Sequence, residues 1–393
     1  MEARTRQDMA QLLNERMNRS YQALRAKQRL PFESSLVKTY LIECHSVDGA
    51  DHDAVWRLLN EVVDDPTSPL HERGKAEESD EEAFFGLEVE SPYGKASLYV
   101  DASDARFWLV HSIDNSRAVD WVRDRLAVHS PKIDTAWFPV EILELVASYG
   151  KLRGLGLDYD RREIPDVDFE HPDAPAEFLK MQLWGNRAGL ILEILRAQGA
   201  FPHETTLSKV KVKVWENGEA DSAAFTVDDV KYDGKITARG TSFYTHAHLV
   251  SRLVRFYASA VRTLQREVPI AVRESDQSVS LQGMPVNFHL QRPIADLAVF
   301  CDSVLDCAPP FRLWGIPARM SDTYVRVAAT DLHVGGTLDL EVSPFWIRAY
   351  LRDGCCANTL IRFYTNLQHY YDSRVEARLG DGRALLQLQS ETA

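Results

Sequence analysis

The sequence predicts an α+β fold built from three repeats of one plan: a strand, a helix, an antiparallel meander and a long closing helix. Three observations lead there. Runs of alternating apolar and polar residues, the period of a half-buried strand, are bounded by turn signals such as Asn217-Gly218 and Asp233-Gly234. Between them lie helical stripes, of which Val250, Val254, Tyr257, Val261, Leu264 and Val268 step by four or three residues throughout. The first and last helices of the three units start near residues 51 and 116, 186 and 245, and 293 and 356, so the separations are similar.

The bulk properties bound the class. A chain of 393 residues, 45% hydrophobic and 26% charged, has the length for two or three globular domains. No apolar run approaches the roughly 18 residues of a membrane span. The first thirty residues are charged throughout and carry no apolar signal core. The five cysteines (Cys44, Cys301, Cys307, Cys355 and Cys356) show no zinc-ribbon spacing. Together these features predict a cytoplasmic protein with reduced, buried thiols and no membrane partner. The net charge of −13 sits in residues 41–105, which hold 17 Asp or Glu against 4 Lys or Arg. The rest of the chain is balanced, so the acidic total does not exclude a nucleic-acid partner.

In chain order, residues 1–34 form a basic amphipathic helix and its exit. Met9, Leu13, Met17, Tyr21 and Leu24 make one stripe, Arg4, Arg6, Arg16, Arg19 and Arg25 line the other faces, and Pro31 is a breaker. The basic face reads either as solvated surface or as an arm for phosphates. The first, acidic unit spans 35–128. Its strand at 36–43 precedes a helix with Asp51 as cap and Val55, Leu58, Leu59 and Val62 inside. The acids from Glu77 to Glu82 read as a solvated loop, followed by strands at 84–90, 96–101 and 106–112 and a closing helix from about 116. Residues 129–176 read as a connector holding one short helix. Gly154 and Gly156 within it lack the third glycine and the strand-to-helix setting of a nucleotide fingerprint.

The second unit, 177–268, has a strand at 178–184 and a helix running to Gly199. Its meander opens with Lys209, Lys211 and Lys213 alternating with Val210, Val212 and Val214. The third, 278–377, has a strand-like start at 278–291 and a helix entered at Pro293. Strands at 323–333, 337–342 and 344–351 follow, and then a helix on Leu360, Tyr364, Leu367, Tyr371 and Val375. Residues 378–393 are read as a tail. This order of elements resembles the TATA-binding-protein-like plan, in which helices cover one face of a curved antiparallel sheet. The resemblance is one of topology and implies no activity.

No Walker A loop, G-x-S-x-G elbow, H-E-x-x-H or C-x-x-C pair occurs, so the common catalytic classes lack their signatures. Asp331, His333, Asp339 and Glu341 lie on adjoining strands. If their faces coincide, they offer the oxygen and imidazole ligands of a Mg²⁺ or Mn²⁺ nuclease or phosphodiesterase; otherwise they are a polar hairpin. His246 and His248 share a face in a strand but part by about 200° in a helix, the state expected at that junction. Glu43, Cys44 and His45 have metal-binding atom types without a zinc spacing. Lys209, Lys211 and Lys213, extended by Lys231, Lys235 and Arg239, make a basic sheet face suited to a phosphate backbone or to cross-strand pairing with acids. Phe311, Trp314, Phe345, Trp346, Tyr350, Phe363, Tyr364, Tyr370 and Tyr371 supply a core, and any left exposed supply a docking patch.

These features predict a non-catalytic binding or assembly subunit without a cofactor. It would act with a protein partner in a complex that handles nucleic acid, such as a bacterial defence system. The alternative is the metal-dependent nuclease.

Overall fold

The computed structural model describes residues 2–26, 36–45, 52–167, 169, 176–197, 203–219, 222–275 and 278–387. Pro31, Asp51 and Gly199, with their expected roles as breaker, cap and helix stop, lie outside the described residues. The fold is mixed α+β with large antiparallel sheets. It divides into two compact units that are discontinuous in sequence. Unit 1 is Met1–Ala136, Val146–Leu152 and Lys211–Arg255; unit 2 is Trp137–Leu145, Arg153–Val210 and Phe256–Ala393. Among the described residues no helix is long and apolar enough to cross a membrane.

In unit 1, β1 (Val37–Cys44) runs through the middle of the sheet, buried along its whole length. Around it lie β2 (Gly74–Glu78), β3 (Phe84–Ser91), β4 (Gly94–Asp101), β5 (Phe107–Ser112), β10 (Phe225–Lys231) and β11 (Lys235–Gly240), in the order β2-β3-β4-β5-β1-β11-β10. A short β6 (Ile133–Thr135) also pairs with β1. Alternation assigns the two faces of β1. Tyr40 and Ile42 point to α2 (His52–Asp64) and α3 (Ser116–His129), where Val55, Leu59, Val119 and Val122 complete a core. Val37 points the other way, with Phe84, Tyr99 and Ala238, and α1 (Arg6–Arg25) covers that side through Met9, Leu13 and Met17. A strand covered on both faces buries its polar residues too, and Lys38, Thr39 and Glu43 of β1 are all buried.

The acidic stretch expected as a loop is strand only at Glu77 and Glu78, and residues 79–83 form the loop. Ala76 pairs with Leu87 and Glu78 with Phe85, making β2 a charged edge strand, a composition that discourages further strand addition. Beyond β2, Asp80 meets Arg4 at 3.0 Å, and Glu81 accepts from the Arg6 side chain at 3.0 Å and its backbone N–H at 3.1 Å. The acids thus hold the start of α1.

In unit 2, β14 (Val286–His289), β15 (Leu313–Ser321), β16 (Tyr324–Asp331), β17 (Thr337–Ser343), β18 (Trp346–Leu351) and β19 (Glu376–Leu379) form a second sheet, ordered β15-β16-β17-β18-β14-β19. Its inner face carries Val327, Leu340, Ile347 and Phe288, and Phe363 of α8 (Asn358–Tyr370) stacks edge-on against Phe288 at 5.2 Å. The helix between β14 and β15, α7 (Leu297–Val304), starts after Pro293. Asp296 caps it by accepting from the N–H groups of Ala298 and Val299. Two strands of this sheet fall where none was expected: β15, whose Gly315 and Pro317 break the strand pattern as an edge allows, and β19, which runs from the end of the third unit into the supposed tail. The strand-like start is β13 (Ser278–Gln282), paired with β12 (Ala271–Ser275), and then β14.

The connector also holds a strand. β7 (Lys151–Asp160) pairs with β8 (Phe178–Trp184) from Gly154↔Trp184 to Asp160↔Phe178. A Cβ at Gly154 would lie 2.7 Å from the Leu183 carbonyl, and one at Gly156 would lie 2.9 Å from the Lys209 side chain. The glycines permit close approach of strands.

The segment expected as a second unit, 177–268, pairs differently from those expected at 35–128 and 278–377. β1 pairs with β5, and β14 with β18, so the opening strand joins the last strand of the meander that follows it. The meander of β9 (Leu207–Trp215), β10 and β11 instead ends on β1, through Val37↔Ala238 to Tyr40↔Lys235. Its closing helix, α6, is Phe243–Glu267.

Candidate nucleic-acid interface

The outer face of the six-stranded sheet is built by simple alternation. On β16, Val325, Val327 and Ala329 go inward, leaving Tyr324, Arg326 and Ala328 outward. On β17 and β18 the outward residues include Asp339, Glu341, Trp346, Arg348 and Tyr350. Register lines these up in cross-strand rows. Arg326 pairs with Glu341, Glu341 with Arg348, Arg348 with Asn287, and Asn287 with Arg378. Four strand spacings of about 4.8 Å put Arg326 and Arg378 roughly 19 Å apart, with Arg348 midway.

Each arginine has a distinct setting. Arg326 is exposed and makes no hydrogen bond or ion pair among the described residues. Arg348 donates to Asn287 Oδ1 at 2.7 Å and lies 5.3 Å from the Trp346 ring centroid. Arg378 is exposed and meets Glu376 at 2.9 Å. Aromatic rings flank the row. Tyr324 and Trp346 are 6.2 Å apart, and Tyr350 stands on the other side of Glu341. Glu341 Oε1 accepts from the Tyr324 hydroxyl at 2.8 Å, and Oε2 from that of Tyr350 at 3.2 Å. Loss of water, and then the Glu341 carboxylate, raise the Tyr324 hydroxyl above its ordinary pKa. The result is a sheet surface of ring faces and guanidinium groups held in register.

A model of the MJECL33-like protein family matches residues 1–385. The chain belongs to the MJECL33-like family. Uncharacterized protein MJECL33 of Methanocaldococcus jannaschii is 25% identical over 405 residues, taking in 94% of this chain and 92% of that protein.

In this MJECL33-like chain the four residues considered for a metal site do not converge. Pairing of Asp339 with Ala328 and of Glu341 with Arg326 puts both acids on the outer face. Asp331 and His333 are fully buried. Asp331 pairs with Arg362, accepts from the Thr359 hydroxyl, and takes the His333 backbone N–H at 3.1 Å. Asp339 pairs with Arg352. The nuclease constellation required coincident faces, and the register sets them apart.

The lysine stripe is largely consumed by partners. Lys211 is buried and meets Asp229 at 3.0 Å, and Lys235 is buried on Asp120 at 2.6 Å. Lys213 lies over the Phe225 ring at 3.8 Å and the Trp215 ring at 4.7 Å. Lys209, in unit 2, lies 5.7 Å from the Trp184 centroid. Lys231 is half-buried, and Arg239 is the exposed member of the set. Cross-strand pairing and cation–π contact thus account for most of the basic face. Lys211→Met is expected to cost about 1–2 kcal/mol in urea unfolding by stranding Asp229, while changing oligonucleotide affinity less than twofold.

His246 and His248 part as a helix requires: His246 is buried and His248 exposed. His246 belongs to a buried chain in unit 1. Asp228 Oδ1 is 2.6 Å from His246 Nδ1, His246 Nε2 is 2.8 Å from Thr39 Oγ1, and Thr39 Oγ1 is 2.9 Å from His111 Nδ1. Glu43 is buried and accepts from Arg106 Nε at 2.8 Å. Of the aromatic set, Phe311, Phe363, Tyr364 and Tyr371 are buried, while Trp314 and Phe345 are exposed. Cys307, expected to be buried, is exposed.

Sequence reasoning missed Arg326, Arg348, Arg378 and Tyr324. The alternation of Tyr324, Arg326 and Ala328 with Val325 and Val327 carried the signal for β16. The row itself needed the register of five strands.

Proposed function

We propose that the protein is a non-catalytic binding subunit that holds single-stranded nucleic acid on the outer sheet face of unit 2, within a larger assembly. The row of Arg326, Arg348 and Arg378 carries this reading. Guanidinium groups spaced across a sheet follow a phosphate backbone, and Tyr324, Trp346 and Tyr350 offer faces on which bases of any sequence stack. The element orders β1-α2-β2-β3-β4-β5-α3 and β14-α7-β15-β16-β17-β18-α8 share one neighbour order. We read them as two copies of a plan similar to that of the TATA-binding protein. One copy carries α1 on its outer face.

The test is fluorescence anisotropy of labelled 12-nucleotide strands at low and moderate salt. The wild type binds and weakens as salt rises. Trp346→Ala and Tyr350→Ala each weaken binding about tenfold, the loss of one stacked base. Arg326→Ala flattens the salt slope by about 1. Absence of wild-type binding at low salt overturns the proposal.

A further inference from the structure

We infer that Glu341 makes the outer face selective for guanine; this rests on the single-strand reading above. Glu341 is the acid in the row, set directly between Arg326 and Arg348. An acid in the middle of a phosphate-binding surface weakens binding of any backbone, so its place there calls for a chemical account. The ion pair with Arg348, 3.5 Å at its closest, offers only the modest return of cross-strand charge pairing. The two tyrosine hydroxyls do orient the carboxylate. Each oxygen accepts from one of them, at 2.8 and 3.2 Å, and an ionised carboxylate has about four acceptor sites. One lone pair on each oxygen is left for a ligand.

A ligand that fills both has two parallel N–H donors. Guanine presents N1–H and N2–H side by side, with the O6 acceptor next to them. Arg326 and Arg348 lie on either side of Glu341, so a guanidinium is at hand for O6. The other bases match less well. Adenine and cytosine each place a ring nitrogen lone pair beside their amino group, which opposes the second carboxylate oxygen. Uracil has a single N–H between two carbonyls. Trp346, on the same face and 5.3 Å from Arg348, provides a ring for the base to stack on.

The experiment uses the full chain and labelled 12-nucleotide uridine strands carrying one central guanine, inosine, adenine or cytosine, with the all-uridine strand as reference. The guanine strand is expected to bind about tenfold tighter than the adenine, cytosine and all-uridine strands. Inosine, which lacks the N2 amino group, falls between. Glu341→Gln removes the guanine preference and tightens binding of the all-uridine strand, because the row loses its one negative charge. Tyr350→Phe, which removes one orienting hydroxyl, narrows the preference without abolishing it. Equal binding of every strand by the wild type overturns the assignment to Glu341 and leaves the single-strand reading intact. Binding of none overturns both.

Discussion

Asp331→Ala is expected to destabilise unit 2 by about 3–5 kcal/mol, the usual cost of breaking a fully buried ion pair. Asp331 and Arg362 are both 0% exposed. The carboxylate also takes the Thr359 hydroxyl and the His333 N–H. Its loss strands a buried guanidinium and two further donors in a medium that solvates none of them. Arg362 keeps the Phe311 carbonyl, 3.0 Å from its Nε, but a carbonyl dipole does not replace a full negative charge. Urea unfolding should show the lower midpoint, with a fall in melting temperature of roughly 10 °C. Replacing both charges, as Asp331→Leu with Arg362→Met, should recover most of the loss, because no buried charge then lacks its partner. A double variant as unstable as the single one would show that packing around the pair, and not its charge, dominates.

Unit 1 should lose stability in acid through His111. Burial, and then the nearby His246, push its pKa down to about 4, against the small opposing pull of Asp101. An unfolded histidine titrates near 6.5. Between those values the unfolded chain binds a proton that the folded one refuses, so stability falls as pH drops through 6.5 and levels off below about 4. The full span amounts to about 3 kcal/mol for this one ring. The neutral ring fits its setting: Thr39 Oγ1 stands 2.9 Å from Nδ1, and the Phe243 ring lies edge-on at 5.7 Å. Urea midpoints measured at pH 7, 6, 5 and 4 for the wild type and His111→Gln separate this ring from the other titrating groups. The difference between the two curves should be constant near neutral pH, set by the lost contacts of the ring, and shift in favour of His111→Gln below pH 6. Parallel curves would assign the acid loss to other groups.

How much of this was legible in the sequence depended on how many strands a feature spans. Single elements with one clean period stood out, as in the long helix on Val250, Val254, Tyr257, Val261 and Leu264, or the strand of Val325, Val327 and Ala329. Strands whose composition serves an edge did not. β2 is mostly Glu, Lys and Gly, and β15 contains both Gly315 and Pro317, so both resemble loops until a neighbour is known. Asp331 and Glu341 were drawn into one imagined site because adjoining strands share residue types, whereas sharing a face depends on register. A shift of one residue sends every side chain to the other side of a sheet, and the alternation sets the choice: Asp331 falls in step with the inward Val325, Val327 and Ala329, and Glu341 out of step with the inward Leu340 and Val342. The arginine row is the same lesson in reverse: its arginines come from β16, β18 and β19, linked across β17 and β14, and line up only when pairing is complete.

The helix on the outer face of the first sheet has a consequence for the order of folding. α1 lies within the first 25 residues, yet Asn14 accepts the backbone N–H of Phe243 at 2.9 Å and Asn18 donates to the Thr241 carbonyl at 2.8 Å. During synthesis at about 5–20 residues per second, some tens of seconds separate the two ends of those hydrogen bonds. Most helical stability comes from tertiary packing, and the cover over Met9, Leu13 and Met17, begun by Val37, Phe84 and Tyr99, is completed only when Ala238 and Phe243 emerge. α1 is thus made long before the last part of the surface it docks on.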